Sequence, residues 1–351
     1  VRPKGIVQQS APGPNFHSLL SVGMSQRALI RRREAGEQPD KSEKQATPAK
    51  PGLVVGLLTA MRVWSFTSTV SPQLVALAVL RFHCRIELPG CFAILALLVS
   101  LLALQAAANL VNSYKDFERG IDTKETAGDR TLVDNLVSVP VLVALAASCL
   151  LGWCAYFAWS VVVTDFSPTV VGLAILGTAL ALGYTAGPAP LKYVGLGDLT
   201  IFVCFGPAVV AYSSTVLVGT VRWEAIAFTM PVALYVVAIL HANNYRDIEA
   251  DSRTGARTVA TFLGPRVSVI YYDLLLSCAH LGALAAGYHY SCAGAVVSLL
   301  VAPQSLWLCR RIRSNDMLHT QDEETAKTVL MFAVVLSLGI VAMPGVELSW
   351  L

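Results

Sequence analysis

Asn112-Ser113-Tyr114-Lys115-Asp116 and Asn243-Asn244-Tyr245-Arg246-Asp247 are two copies of one pattern, N-x-Y-[KR]-D, and each closes a long apolar run. A basic patch follows each copy: Arg130-Thr131-Leu132-Val133 after the first, Arg257-Thr258-Val259 after the second. One such match would carry little weight. Two, at equivalent ends of two apolar runs, read as a duplicated helical unit.

The rest of the chain fits a membrane setting. Of 351 residues, 55% are hydrophobic and only 14% charged, against roughly 25% charged in ordinary soluble domains. Mean hydropathy is +0.59. From residue 53 onward the sequence predicts nine spans, over 64–82, 91–113, 141–163, 168–186, 196–217, 225–244, 267–287, 290–308 and 328–347. Most approach the ~20 residues that cross ~30 Å of hydrocarbon as a helix. The expected fold is therefore all-α and polytopic, about nine transmembrane helices around a central cavity with the two Asp-rich motifs at its mouth. Residues 1–51 are rich in Pro, Gln, Ser, Lys and Arg without periodicity and read as a disordered basic tail. They hold no h-region with a small-residue cleavage site. The net charge of +3 suggests no nucleic-acid partner. Eight cysteines show no C-x-x-C and mostly lie in apolar runs, which argues against a disulfide framework or a zinc site.

Charge placement orients the bundle. With nine spans and the tail inside, every one of the 26 Lys and Arg residues falls on the inner side except Arg81, Arg85 and Arg222. Basic residues collect on the cytoplasmic side of membrane proteins. Both motifs then share that side.

Spacing gives the motifs a chemistry. Asn112 and Asp116 are four apart and share a helical face. Asn243, Asp247 and Asp251 fall at i, i+4 and i+8 and do the same. Asp122 follows Gly120 and is expected beyond the helix end. Carboxylates and Asn amides are hard oxygen donors of the kind magnesium takes, usually with substrate phosphates completing the shell. Two facing clusters would hold a metal-bridged diphosphate, with Arg130, Arg257 and Lys192 supplying further positive charge. Arg62 opens the first span, where a cation opposes the helix dipole; it serves either an anion or an interfacial anchor. Asp198, near Gly195 and Gly197, is read as a polar lining group or a helix N-cap. His241 is read as a structural histidine. The run Arg310-Arg311-Ile312-Arg313 is read as a topology determinant.

Taken together, N112-SYK-D116-FERGI-D122, the downstream DRTLVDN, KYVGLGDL, and N243-NYR-D247-IEA-D251-SRTGARTVA resemble the UbiA superfamily of intramembrane aromatic prenyltransferases. The likeness covers residues of about 52 to 348, so the domain expected is 52–351, and it is nearest to the animal, menaquinone-4-forming branch. It implies a magnesium-dependent transfer of a prenyl group, such as geranylgeranyl, from its diphosphate to a menadiol-type naphthoquinol. By match, the metal would fall to Asn112, Asp116, Asp122, Asn243, Asp247 and Asp251. The diphosphate would meet Arg62, Lys115, Arg130, Lys192, Arg246 and Arg257. Asp116, Asp247 and Lys192 would be the catalytic set, and Tyr184, Asp198 and Asn244 would line the cavity. Ser113 departs from the N-D-x-x-D form of many members, in the manner of the naphthoquinone branch. The resemblance also implies HMG-CoA reductase as a partner and an endoplasmic reticulum, Golgi or mitochondrial membrane as the location. The competing readings are a prenyltransferase for 4-hydroxybenzoate or haem, a transporter, and a non-catalytic sterol- or isoprenoid-sensing partner protein.

Overall fold

A computed structural model describes residues 52–120, 130–187 and 189–345. The expected tail, and Asp122, Glu125 and Asp129 of the first inner loop, lie outside them. All the regular elements described are helical. In chain order they are α1 (Leu53–Ala60), α2 (Thr67–Ala78), α3 (Cys91–Glu118), α4 (Val139–Val163), α5 (Pro168–Gly183), α6 (Gly197–Val203), α7 (Val209–Val218), α8 (Trp223–Arg246), α9 (Ile248–Thr254), α10 (Val259–His289), α11 (Ala302–Arg311) and α12 (Gln321–Ala342). Short 3-10 or π turns extend several of them, so that α2 lies in one run over Val63–His83 and α6 with α7 in one over Gly197–Val218.

Among the described residues eight such runs are long and apolar enough to cross a membrane, and the chain is an integral, multi-pass membrane protein. The fourth expected span, 168–186, is the exception. Its helix is α5, only 16 residues long, because the chain turns out of helix after Gly183 and passes through Gly187 at φ +97. The last span also differs. It is expected over 328–347, but α12 begins at Gln321 and ends at Ala342. Its first turn holds Asp322, Glu323 and Glu324, which depress hydropathy while favouring the positive end of a helix dipole.

Burial ranks the helices. In α8, 78% of the apolar window lies inside the bundle, against 11% in α4. Phe228, Val232, Tyr235 and Ala238 of α8 are wholly buried and join one apolar core with Leu276 of α10 and Phe332 and Leu336 of α12. By contrast α4 points Leu151 and Val162 outward, as a lipid-facing helix does. Large exposed apolar area of this kind marks a surface that meets something other than water.

Two glycine contacts set the spacing of this bundle. A Cβ on Gly206 would stand 2.9 Å from the Cβ of Ala233, and one on Gly294 would stand 2.0 Å from the carbonyl oxygen of Gly339. The first lets the π turn between α6 and α7 press on α8. The second brings the segment before α11 backbone-to-backbone with α12, the close approach small residues permit between membrane helices. A Gly294→Val substitution has no flexible neighbour to displace. It is expected to destabilise the fold by about 1–3 kcal/mol or more, seen as a lower unfolding temperature of the detergent-solubilised protein.

Candidate active site

The polar face of α3 builds one wall. Gln105, Asn109, Asn112 and Asp116 recur at helical spacing and all line a cavity of about 960 Å³. The upper pair braces the chain before α2. Asn109 Nδ2 donates to the Met61 carbonyl at 2.9 Å and Gln105 Nε2 to the Ser65 carbonyl at 2.9 Å. Between them Arg62 adopts φ 51, ψ 52, a left-handed conformation uncommon outside glycine. The Arg62 carbonyl accepts from Ser65 Oγ at 2.8 Å. This elbow sets Arg62 on the cavity wall.

Asn112 and Asp116 stand at the inner end of α3, both nearly buried. Lys192, in the segment between α5 and α6, donates to Asn112 Oδ1 at 2.8 Å and to the two Asp116 oxygens at 2.9 and 2.7 Å. Tyr193 also donates to Asp116 Oδ1, and Thr185 to Asn112 Oδ1 at 3.0 Å. Burial, then the Asp116 charge, pushes the Tyr193 phenol well above its ordinary range, so it remains a donor. Arg119 fastens the same segment by donating to the carbonyls of Thr185 and Gly187, each at 3.3 Å. The Arg257 amide, donating to Tyr193 O at 3.0 Å, fastens it from the other half.

The second motif faces the same cavity. Asn243 and Asn244 lie near the end of α8, Asp247 at the junction, and Asp251 one turn into α9; all four line the cavity. The expected single face thus survives a break in the helix, across which the Asp251 amide donates to Asp247 O at 2.8 Å. Arg246 here plays the part Lys192 plays opposite. Its guanidinium donates to Asp247 Oδ1 at 2.8 Å and Oδ2 at 2.9 Å, and to Asn243 Oδ1. Asp251 carries no such partner among the hydrogen bonds found for the described side chains. Burial, then the negative charges of Asp247 and Asp116, raises its carboxyl to about 6, with Lys192 opposing. Burial and like charge both disfavour the ionised carboxyl, and an added cation would restore it.

Each expected site residue except Asp122 falls among the described residues. Arg62, Asn112, Asp116, Arg130, Tyr184, Lys192, Asn243, Asn244, Arg246, Asp247 and Asp251 line the cavity. Lys115 does not. It lies about 100° round the helix from Asp116 and pairs with Glu118 at 2.6 Å on the exposed side. Arg257 is exposed and contributes its backbone. Arg130 keeps to the rim, paired with Asp134 at 2.6 Å. Asp198 is neither a lining residue nor the N-cap, which is Leu196. It sits behind the wall, 3.8 Å from His241 Nδ1. The opposite ring nitrogen of His241 meets the Ser268 carbonyl at 3.0 Å; a carbonyl can only accept, so Nε2 carries a proton. Asp122 lies outside the described residues. Sequence reading passed over Gln105, Asn109, Thr185, Tyr193, Asp322 and Glu323. Only the i, i+4 spacing of Gln105, Asn109 and Asn112–Asp116 on one apolar helix was there to find.

The oxygen donors suit a hard divalent cation. Among the described residues no three His, Cys, Asp or Glu converge to hold one as they stand, and Lys192 and Arg246 bond the oxygens of Asp116 and Asp247. The arrangement is two half-sites across one mouth, which fits an ion that takes part of its shell from a bound phosphate.

Comparison with known proteins identifies the family and the fold. The sequence matches the UbiA prenyltransferase family over residues 69–336. It is 34% identical over 314 residues to UbiA prenyltransferase domain-containing protein 1 of Xenopus tropicalis, covering 87% of each chain. The fold resembles the apo structure of a UbiA homologue from Aeropyrum pernix K1, with TM-score 0.59, 20% identity and coverage of 79% of this chain and 97% of that one. It also resembles a UbiA homologue from Archaeoglobus fulgidus bound to GPP and Mg2+, with TM-score 0.56, 12% identity and coverage of 82% and 100%. The chain therefore belongs to the UbiA prenyltransferase family of intramembrane enzymes.

Removing the Asn109 brace tests how the mouth is held. Asn109→Leu leaves the half-buried Met61 carbonyl without this donor, a loss of about 1 kcal/mol. Amide exchange over residues 61–65 is expected to rise while that of α8 stays unchanged, as read by mass spectrometry.

Proposed function

We propose that this chain transfers a prenyl group, geranylgeranyl or a close relative, from its diphosphate to the ring of a menadiol-type naphthoquinol, forming menaquinone-4. The observation that carries the proposal is the pair of half-sites. Two carboxylate–amide clusters, the first buried and the second half-buried, each already held by one cationic side chain, line the mouth of one cavity. The archaeal homologue bound to GPP and Mg2+ supports the same use of such a mouth.

In this reading Asn112, Asp116, Asn243, Asp247 and Asp251 hold magnesium with the substrate phosphates, with Asp122 added from the sequence pattern. Magnesium bound there would neutralise charge gathering on the departing diphosphate. Lys192, Arg246 and Arg62 donate to the phosphate oxygens, and Arg130 guards the rim. The allylic C–O bond breaks with its electron pair on the diphosphate. Below the mouth, Leu101, Leu104, Leu173 and Val209 line the wall and keep water from the allylic cation. Trp153, Phe205 and Tyr212, also on the wall, offer ring faces to positive charge. The electron-rich carbon of the quinol forms the new C–C bond and releases its ring proton.

The lining also favours a neutral acceptor. Its cations, Arg62, Arg130, Lys192, Arg246 and Arg253, come from the inner ends and loops, whereas Thr69, Gln105, Thr200 and Tyr212 are uncharged. Gln105 lies 11 residues before Asp116, about 16 Å deeper along the helix. A ring bearing hydroxyls finds uncharged polar partners at that depth. An endoplasmic reticulum or Golgi location and association with HMG-CoA reductase belong to the same proposal on the family likeness alone.

Purified protein in lipid discs, given geranylgeranyl diphosphate, menadiol and Mg2+, is expected to yield menaquinone-4, and chelation with EDTA to stop it. Asp116→Ala and Asp247→Ala are each expected to lower turnover by about 10²–10³-fold or more while the protein still inserts. Normal turnover in both would refute the site. Faster prenylation of 4-hydroxybenzoate than of menadiol would refute the acceptor.

A further inference from the structure

Arg246 has a second carboxylate partner that belongs to neither motif. Its NH1 faces Asp322 Oδ2 at 3.4 Å. Asp322 sits in the first turn of α12, is 6% exposed, and lines the cavity with its neighbour Glu323. Its other oxygen accepts the Glu323 amide at 3.0 Å. The carboxylate is thus fixed at one end by backbone and by the positive end of the α12 dipole, and a buried carboxylate so placed calls for a cation. The guanidinium between the two acids is the mobile member. It rides on a flexible stem, with its side chain 21% exposed.

The two bonds are unequal. Arg246 meets Asp247 through two nitrogens at 2.8 and 2.9 Å, the fork geometry that makes arginine–carboxylate pairs strong. It meets Asp322 through one nitrogen at the longer distance. Arg246 therefore occupies the very oxygens that the second half-site would offer to a cation. Across the mouth Lys192 does the same to Asp116.

We propose that Asp322 is a positioning residue for the diphosphate site, giving Arg246 a counter-charge on α12 so that the guanidinium can leave Asp247 and still point into the cavity. The inference rests on the diphosphate reading above. Without Asp322, Arg246 has Asn243 and Asp247 as its acceptors, and it competes for them with any divalent cation. With Asp322 present, the guanidinium stays beside the mouth with donors free for phosphate oxygens. The charge on α12 acts through Arg246 and need not touch substrate.

The test is calorimetric binding of Mg2+ together with inorganic diphosphate to the full chain in lipid discs, with no turnover involved. Asp322→Asn is expected to weaken this binding about tenfold, the scale of losing one partner of a charge-assisted hydrogen bond. Asp322→Glu, which keeps the charge, is expected to bind within about twofold of the parent, the usual margin of additivity. In an Arg246→Gln background, Asp322→Asn is expected to add no further loss. Unchanged binding by Asp322→Asn, or the same tenfold loss with Arg246 already removed, would overturn the positioning role while leaving the diphosphate site standing. A parent protein that binds neither Mg2+ nor diphosphate would overturn the site itself, and the role of Asp322 with it.

Discussion

Buried negative charge is the constraint from which the arrangement follows. Asp116 and Asp322 are almost wholly inside the protein, at the inner ends of helices that are otherwise apolar. An unpaired carboxylate there would be costly enough to unfold the helix end or force protonation. The chain answers with cations on neighbouring segments. Lys192 reaches back across the α5–α6 segment to α3, and Arg246 ties the end of α8 to α12. These links connect parts of the chain that apolar packing alone would leave free to slide, since lipid offers no hydrophobic preference for one helix contact over another.

The scaffold keeps the charged mouth in register with the cavity. At the centre α8 is sealed on most sides and carries the second motif at its end. The first motif rides on α3, whose polar face continues inward as Gln105 and Asn109 and holds the left-handed turn at Arg62. The Tyr184–Tyr193 segment is fixed to both halves, through Arg119 and Asp116 on one side and the Arg257 amide on the other. It is the bridge between the duplicated units.

Much of this was legible in the sequence, because apolar length and a repeated pattern survive without coordinates. The eight long spans, the shared side of the motifs and eleven of the lining residues could be read directly. What could not be read has physical causes. Lys115 and Asp116 are adjacent in sequence but about 100° apart on a helix, so one lines the cavity and the other faces Glu118. Asp198 looked like a lining group because glycines flank it, yet the turn of α6 directs it toward His241. Asp322 was hidden because a hydropathy scan treats an acidic turn as loop, whereas the dipole of α12 makes it a good start for a helix. Tyr193, though inside KYVGLGDL, and Thr185 showed no sign of what they bond, since their partners lie more than 70 residues away.

The shortness of α5 has a consequence for the bilayer. Its 16 residues rise about 24 Å at 1.5 Å per residue, some 6 Å less than a typical hydrocarbon core of ~30 Å. A helix shorter than the membrane is accommodated by local thinning or by drawing its flanking polar residues inward. The flank concerned is the Tyr184–Tyr193 segment, which carries Lys192. Headgroups and protein surface are therefore brought together on the flank of α5, beside the mouth of the cavity. An amphiphile whose polar end belongs with the headgroups and whose tail belongs in hydrocarbon has a shortened climb to the site there.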